Sequence, residues 1–367
     1  MNSTDPSIKP VSIVDDMSIY LISGRKRSAD VHQVLEEARD AERFGFSRVW
    51  VSERYDNKEA GTILGAAGGV TSRIGLGTAP IPVGSRPIVL TSTLATSLQA
   101  VFERRISLGL GRSISGWIKG HGFNELSYED LIDYCVILKK LWRGETVNYH
   151  GPAGTMENFR LDDIPEGPSP EIVFWHMGGP VASRVAAHPV FDGSGLVECL
   201  TAEAVGKSVN WTKEECRKTG RDPETLQFIA GVVTGPDVSE YELLRQVGAR
   251  LLIFCQGIFL GEYFCERNNW DIKVVERMRS HPFFKDVPSD QWTDHFFQRD
   301  EVIHLVEELV PEEWMRTAAA VGTPQQCVRT LEDFKAAGAS EIAIYAGSPK
   351  VNAGLLEAWR QRTGVVV

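Results

Sequence analysis

Short apolar runs, each suited to one buried strand, recur eight times along this chain, and helical stretches separate nearly all of them. The pattern is clearest from Arg73 to Ser113. Ile74–Thr78 is such a run, broken by Pro80, Pro82 and Gly84. Pro87 then sits where a first helical turn tolerates its missing N–H. Val89, Leu90, Leu94, Leu98, Val101 and Phe102 repeat at helical spacing. Ile106–Leu110 is a second buried run that leads into Gly111-Arg112-Ser113. A strand, a crossover helix and another strand make a βαβ unit with parallel strands and a right-handed crossover. Both strands therefore end in Gly- or Pro-rich turns at one edge, the edge where α/β folds bind ligands.

The other strands are predicted at 18–22, 48–52, 172–176, 192–196, 226–234 and 341–345. Helices are predicted at 31–44, 60–72, 128–142, 181–187, 202–219, 325–337 and 350–363. Eight strands alternating with helices is the count of a (β/α)8 TIM barrel. An open doubly wound sheet is the runner-up, but G-x-G-x-x-G is absent after the first strand. Residues 1–16 are polar, carry Pro6 and Pro10, and are predicted to be a loose start. Residues 17–367 are predicted to form one barrel domain, with a loop or small hairpin within 144–170 and an irregular helical insertion at about 240–317.

Charge narrows the partners. Lys and Arg number 39 against 49 Asp and Glu, a net −10, which argues against nucleic acid or a membrane surface. The six cysteines are scattered with no C-x-x-C pair, which predicts buried free thiols and a cytoplasmic protein. A basic-then-apolar leader pattern and an apolar run of membrane-spanning length are both lacking. The eight histidines show no H-x-H or H-E-x-x-H spacing, so no metal is predicted. Gly111–Gly116 misses the G-x-S-x-G elbow by one residue, which sets aside an esterase.

The candidate site residues lie at strand ends. Gly178-Gly179-Pro180 stands between a strand and a helix start, where backbone N–H groups suit an anion; a plain tight turn explains it equally well. Arg112 offers a fixed charge for phosphate or carboxylate, or a surface ion pair. Glu53 and Arg54 serve catalysis, or an ion pair closing the barrel mouth. His176 lines a site or is a satisfied structural histidine. Ala79-Pro80 is a bond for which the cis form costs only about 0.5–1 kcal/mol, although most such bonds are trans. The run 251–264 walls a pocket, covers a dimer face, or is ordinary core helix.

Ala41-Glu-Arg-Phe-Gly-Phe46 before Val49-Trp-Val-Ser-Glu53, then Arg73–Thr78, Arg105–Gly111 and Gly322-Thr-Pro-Gln-Gln326 occur in that order. The ordered set resembles the bacterial luciferase-like monooxygenase superfamily over roughly 17–347, more weakly across 240–317. It is most similar to the branch that uses the deazaflavin coenzyme F420. The resemblance implies a (β/α)8 barrel, usually a homodimer, with the cofactor in the C-terminal mouth. It implies a cis peptide at Ala79-Pro80, in a bulge with Ile81 that backs the ring. It places Glu53 and Arg54 near the ring, Gly111, Arg112 and Ser113 along the cofactor, and Met177, Gly178, Gly179 and Pro180 around its phosphate.

Two positions depart from the sugar-phosphate dehydrogenases of this family, which carry histidine where this chain has Arg54 and glutamate where it has Ile114. Glucose-6-phosphate dehydrogenation is therefore not expected, and proton transfer falls to His176 or His121. The cofactor tail is polyanionic, so Arg54, Arg112 and Arg184 must supply the charge locally. The expectation is an F420-dependent oxidoreductase moving a hydride to or from a small organic substrate. The alternatives are an FMN-dependent monooxygenase, which would need a flavin reductase as partner, and a barrel that binds a cofactor or ligand without turnover.

Overall fold

Two tryptophans and a set of glycines explain how the barrel closes. The computed structural model describes residues 12–22, 32–55, 57–103, 105–164, 166–257, 260–288 and 293–364. Eight parallel strands run β1 (Met17–Tyr20), β2 (Arg48–Val51), β3 (Gly75–Thr78), β4 (Ile106–Gly111), β5 (Glu171–His176), β6 (Gly193–Leu196), β7 (Gln227–Pro236) and β8 (Glu341–Tyr345). Each pairs with the next, and β8 returns to β1 through Met17 opposite Ile342. This is the expected (β/α)8 barrel. All eight predicted strands form, within two residues of their predicted ends.

Trp50 and Trp175 meet edge to face inside the barrel, centroids 5.2 Å apart. Trp50 Nε1 donates to Ser18 Oγ at 2.9 Å and to Glu341 Oε1 at 3.2 Å. A Cβ on Gly77 would strike the Trp50 ring, and one on Gly195 the Trp175 ring. The Gly-rich strands are thus the small half of a large-against-small packing, the usual way of filling a barrel interior. Tyr20 stands 5.8 Å from Trp175 and 4.7 Å from Tyr345, carrying the aromatic column to the mouth.

The outer helices are α1 (Val34–Phe44), α2 (Ala60–Gly69), α3 (Ile88–Val101), α4 (Tyr128–Trp142), α5 (Pro180–Ala186), α6 (Ala202–Lys218), α7 (Pro324–Ala336) and α8 (Ala353–Thr363). Their ends follow local chemistry. Gly45 stops α1 at φ 86°. Ser127 and Asp130 form a capping box on α4, and Thr323 and Gln326 form one on α7. The Gly322–Gln326 motif is therefore a helix-start signal. Val31, predicted as the first helical residue of α1, lies outside the described residues.

The predicted loose start, 1–16, divides. Residues 1–11 lie outside the described residues. Val14 is buried and bridges Phe46, and Asp16 accepts from Trp359 Nε1 and pairs with Lys335, so 12–16 are tied down. The segment 144–170 contains the hairpin Val147–Gly151 with Gly154–Phe159. Two short strands were not predicted: Ile81–Pro82 alongside β4, and Ala319–Gly322 alongside β7. The described residues of 240–317 are mainly helical, with breaks. Leu251, Leu252, Ile253, Cys255, Leu260 and Phe264 are all buried, so the core-helix reading of that run holds. All six cysteines are free and buried. Among the described residues, no single helix is long and apolar enough to cross a membrane.

One carboxylate fastens α1 to β3. Glu42 accepts from the backbone N–H groups of Ser72, Arg73 and Ile74, at 2.9, 2.6 and 3.0 Å. Burial pushes its pKa up, but these donors outweigh burial and hold it below the usual value. The bonus is therefore present above the unfolded carboxyl's range and is lost as pH falls through the folded value. Glu42→Ala is expected to cost about 1–2 kcal/mol at pH 7, allowing for solvent screening. Urea unfolding at pH 7 and pH 3 tests this; an equal cost at both would contradict it.

Candidate cofactor site

The site lies where β3, β4 and β5 end side by side. Gly77 is opposite Ser107, but Ile81 is opposite Leu110. The β3 side therefore carries one extra residue, a β-bulge. The Ala79-Pro80 bond within it is cis, as the resemblance implied. Ala79 N–H donates to Val51 O at 2.8 Å, and Glu53 N–H to Pro80 O at 3.1 Å, which binds the bulge to the end of β2. Ala79 and Ile81 are buried while Pro80 is partly exposed at the mouth. A Cβ on Gly111 would touch both Pro80 and the Trp175 carbonyl. Pro80 and Gly111 thus lie side by side, next to the end of β5 that leads into 177–180.

Gly178 and Gly179 take φ of 74° and 89°, values that favour glycine. Their N–H groups are turned inward: Gly178 donates to His176 Nδ1 at 3.1 Å and Gly179 to Ser208 Oγ at 3.3 Å. The expectation that these two amides face an anion is corrected. The guanidinium of Arg267 packs against Gly179, where a Cβ would strike it, and its Nη1 pairs with Glu266 at 2.5 Å. Asn268 anchors this arginine's helix, Leu260–Asn268, by donating to Cys199 O and accepting from Thr201 N–H, both at 2.9 Å. Arg112 stacks over the Tyr128 ring at 4.3 Å and pairs loosely with Glu125 at 3.7 Å. The Nε atoms of Arg112 and Arg267 are both buried without a hydrogen-bond partner. An orphaned Nε on Arg112 at the end of β4, and another on Arg267 against the Gly179 backbone, suit a phosphate-bearing cofactor. Arg184 is exposed on α5.

The predicted catalytic residues are differently occupied. Glu53 is buried; it accepts from Ala60 N–H at 2.7 Å and pairs with Arg86 at 3.1 Å. It holds the start of α2 and the turn after the bulge, which matches its ion-pair reading. Arg54 pairs with Asp294 and lies 5.4 Å over the Trp117 ring. His121 Nδ1 bonds Trp117 O at 2.9 Å, and its ring packs on Tyr55. Tyr55, which follows Arg54, packs on Trp117 and Phe123 with its hydroxyl buried; burial raises its pKa, so it stays protonated. Among the described residues no three His, Cys, Asp or Glu side chains converge as a metal site would need.

His176 is a structural histidine. Nδ1 accepts from Gly178, so Nε2 carries the proton and donates to Ser194 Oγ at 2.9 Å. Burial first, and the Arg267 charge second, push its pKa down from 6.5 to about 3. The expectation of proton transfer from His176 is therefore not supported by its geometry. Because the folded value is depressed, the unfolded chain takes the proton first, and stability is lost as pH falls below 6.5. This residue alone is expected to cost roughly 2 kcal/mol at pH 5 relative to pH 7. His176→Gln should flatten that acid limb in urea titrations; an unchanged limb would contradict the assignment.

A TIM barrel with a cis bulge and a cationic rim at the C-terminal ends of β3 to β5 is the class of protein the fold and site define. The chain belongs to the luciferase-like monooxygenase family, whose profile matches residues 17–341. It is 28% identical to the F420-dependent glucose-6-phosphate dehydrogenase of Microbacterium testaceum, over 58% of this chain and 68% of that one. It is 24% identical to the 5,10-methylenetetrahydromethanopterin reductase of Methanolobus tindarius, over 88% of this chain and 92% of that one. The fold is similar to that of the coenzyme F420 dependent tetrahydromethanopterin reductase from Methanopyrus kandleri, with a TM-score of 0.75 and 17% identity. That match covers 94% of this chain and 97% of the other.

Proposed function

We propose that this protein is an F420-dependent oxidoreductase acting on a small organic substrate. The observation that carries the reading is the orphaned Nε on each of two arginines that act on Tyr128: Arg112, which follows β4 beside the Pro80 bulge, and Arg267, which packs against Gly179. The relatives that depend on F420 support the same reading. When bound, the deazaflavin supplies two electrons as a hydride at its ring. Arg112 and Arg267 hold its anionic tail. The Ala79-Pro80-Ile81 bulge backs the ring. Arg54, fixed by Asp294, places a positive charge at the mouth, and Trp117, Tyr55 and Phe123 exclude water beside it. The protonated Tyr55 hydroxyl is the buried proton-bearing group on this wall and is proposed to hydrogen-bond the reacting substrate oxygen. Glucose-6-phosphate is not proposed as substrate, because Arg54 and Ile114 stand where those dehydrogenases carry their acid–base pair.

One barrel domain spanning 17–367, with its helical insertion over the mouth, is part of the proposal. So is a homodimer; Leu90 and Val101 on α3, 58% and 68% exposed, supply apolar surface for it. A cytoplasmic location is proposed from the six reduced, buried thiols. Titration of the apo-protein with F420 tests the central reading.

A further inference from the structure

The mouth holds a second group of cations, apart from the cradle around Gly179. Arg250, on the helix Ala249–Gln256, has a side chain only 1% exposed. Its Nε donates to Gln246 O at 3.1 Å, but Nη1 and Nη2 are both buried with no hydrogen-bond partner. Glu198 Oε1 stands 3.8 Å from Nη1, near enough to attract and too far to hydrogen-bond. The guanidinium lies over the Tyr345 ring, 4.5 Å from its centroid. Arg299 opens the short helix Arg299–Val302, which packs on the helix of Arg250; burial and then the Arg250 charge push its pKa down to about 9. Tyr345 ends β8 and Glu198 follows β6, so the group faces the same mouth as the cofactor rim. Tyr20 links the two regions, in contact with both Tyr345 and Trp175.

Leaving both terminal nitrogens of a buried guanidinium unsatisfied is costly, and a second cation beside it adds repulsion. An arriving anion relieves both. Arg54 is taken by Asp294, and Arg245, near Arg299, by Asp300 and Glu242. Arg250 has only Glu198, out of hydrogen-bond reach, so the two free Nη atoms suit the two oxygens of one carboxylate. We propose that Arg250 and Arg299 form a subsite for a carboxylate, holding the acidic end of a small carboxylate substrate against Tyr345. Naming that molecule a substrate rests on the oxidoreductase reading; the binding site itself does not.

The test is thermal unfolding and isothermal titration of the full chain with benzoate, with benzamide as its neutral isostere and with inorganic phosphate. Benzoate is expected to raise the melting temperature at millimolar concentration, while benzamide does not. Arg299→Gln is expected to weaken benzoate binding at least tenfold and leave F420 affinity unchanged. Arg250→Lys, which keeps the charge in a site where Arg250→Met risks misfolding, should weaken benzoate binding through lost fork geometry. Equal effects of benzoate and benzamide would overturn the proposal. So would binding of phosphate with none of benzoate, or displacement of F420 by benzoate, which would put the carboxylate on the cofactor cradle. Benzoate binding in a protein that fails to bind F420 would leave the subsite standing and remove the cofactor reading instead.

Discussion

Arg267→Ala is expected to raise the dissociation constant for F420 about 30- to 100-fold while leaving the melting temperature close to that of the parent protein. The guanidinium lies directly over Gly179, and its Nε is buried with no partner inside the protein. A charge-assisted hydrogen bond to a phosphate oxygen is worth about 2–3 kcal/mol, the energy of that factor. The fold depends little on this side chain, because Asn268, not Arg267, fastens the helix to the start of α6. Arg267→Lys should recover part of the affinity, keeping the charge and losing the planar fork. Arg112→Ala is also expected to weaken binding, since its Nε is likewise buried without a partner and its charge is only loosely met by Glu125 at 3.7 Å. Fluorescence titration measures all three. An unchanged dissociation constant in Arg267→Ala would remove this residue from the cradle.

Gly109→Ala should be among the most damaging single-methyl changes available to this chain, costing roughly 3–4 kcal/mol. A Cβ there would lie 1.8 Å from the Thr78 carbonyl oxygen and 2.6 Å from Trp175 Nε1. The first contact is with backbone, so no rotamer change relieves it. Thr78 is also held in place, its Oγ1 donating to Gly109 O at 2.8 Å. The displaced segment is the one that enters the Ala79-Pro80 bulge, so cofactor affinity should fall with stability. Gly69→Ala is the control: that glycine is on α2 with nothing near its Cβ position, and alanine favours a helix. Urea unfolding of both variants decides the matter. Equal stabilities would mean that the barrel has room at Gly109.

Much of the fold was legible because its signals are local. Apolar runs, helical spacing and Gly or Pro stops located every barrel strand. Thr323 and Gln326 show why: a capping box is written within four residues. The cofactor rim was partly legible for the same reason, since Pro80, Gly111 and Gly178-Gly179 each end a strand. The failures are at long range. Arg267 reaches Gly179 from almost ninety positions away, on a helix placed by the Asn268 contacts, and no spacing rule points to it. Arg250 and Arg299 lie in the same aromatic, irregular region, where the sequence offers helix but no pattern of function. Of the two readings open for His176, the structural one is settled only once β5 and β6 lie side by side and bring Ser194 to its Nε2, with its own Gly178 amide on Nδ1. Tyr55 stood next to Arg54 and was passed over, because tyrosine in a loop carries no distinguishing spacing.

The most direct test of the central claim is a fluorescence titration of purified apo-protein with F420 and, separately, with FMN. Micromolar binding of F420 and none of FMN is the predicted result. Binding of FMN alone would contradict it and point to a flavin monooxygenase that needs a reductase partner. Binding of neither would mean that the Arg112 and Arg267 cradle serves some other anion.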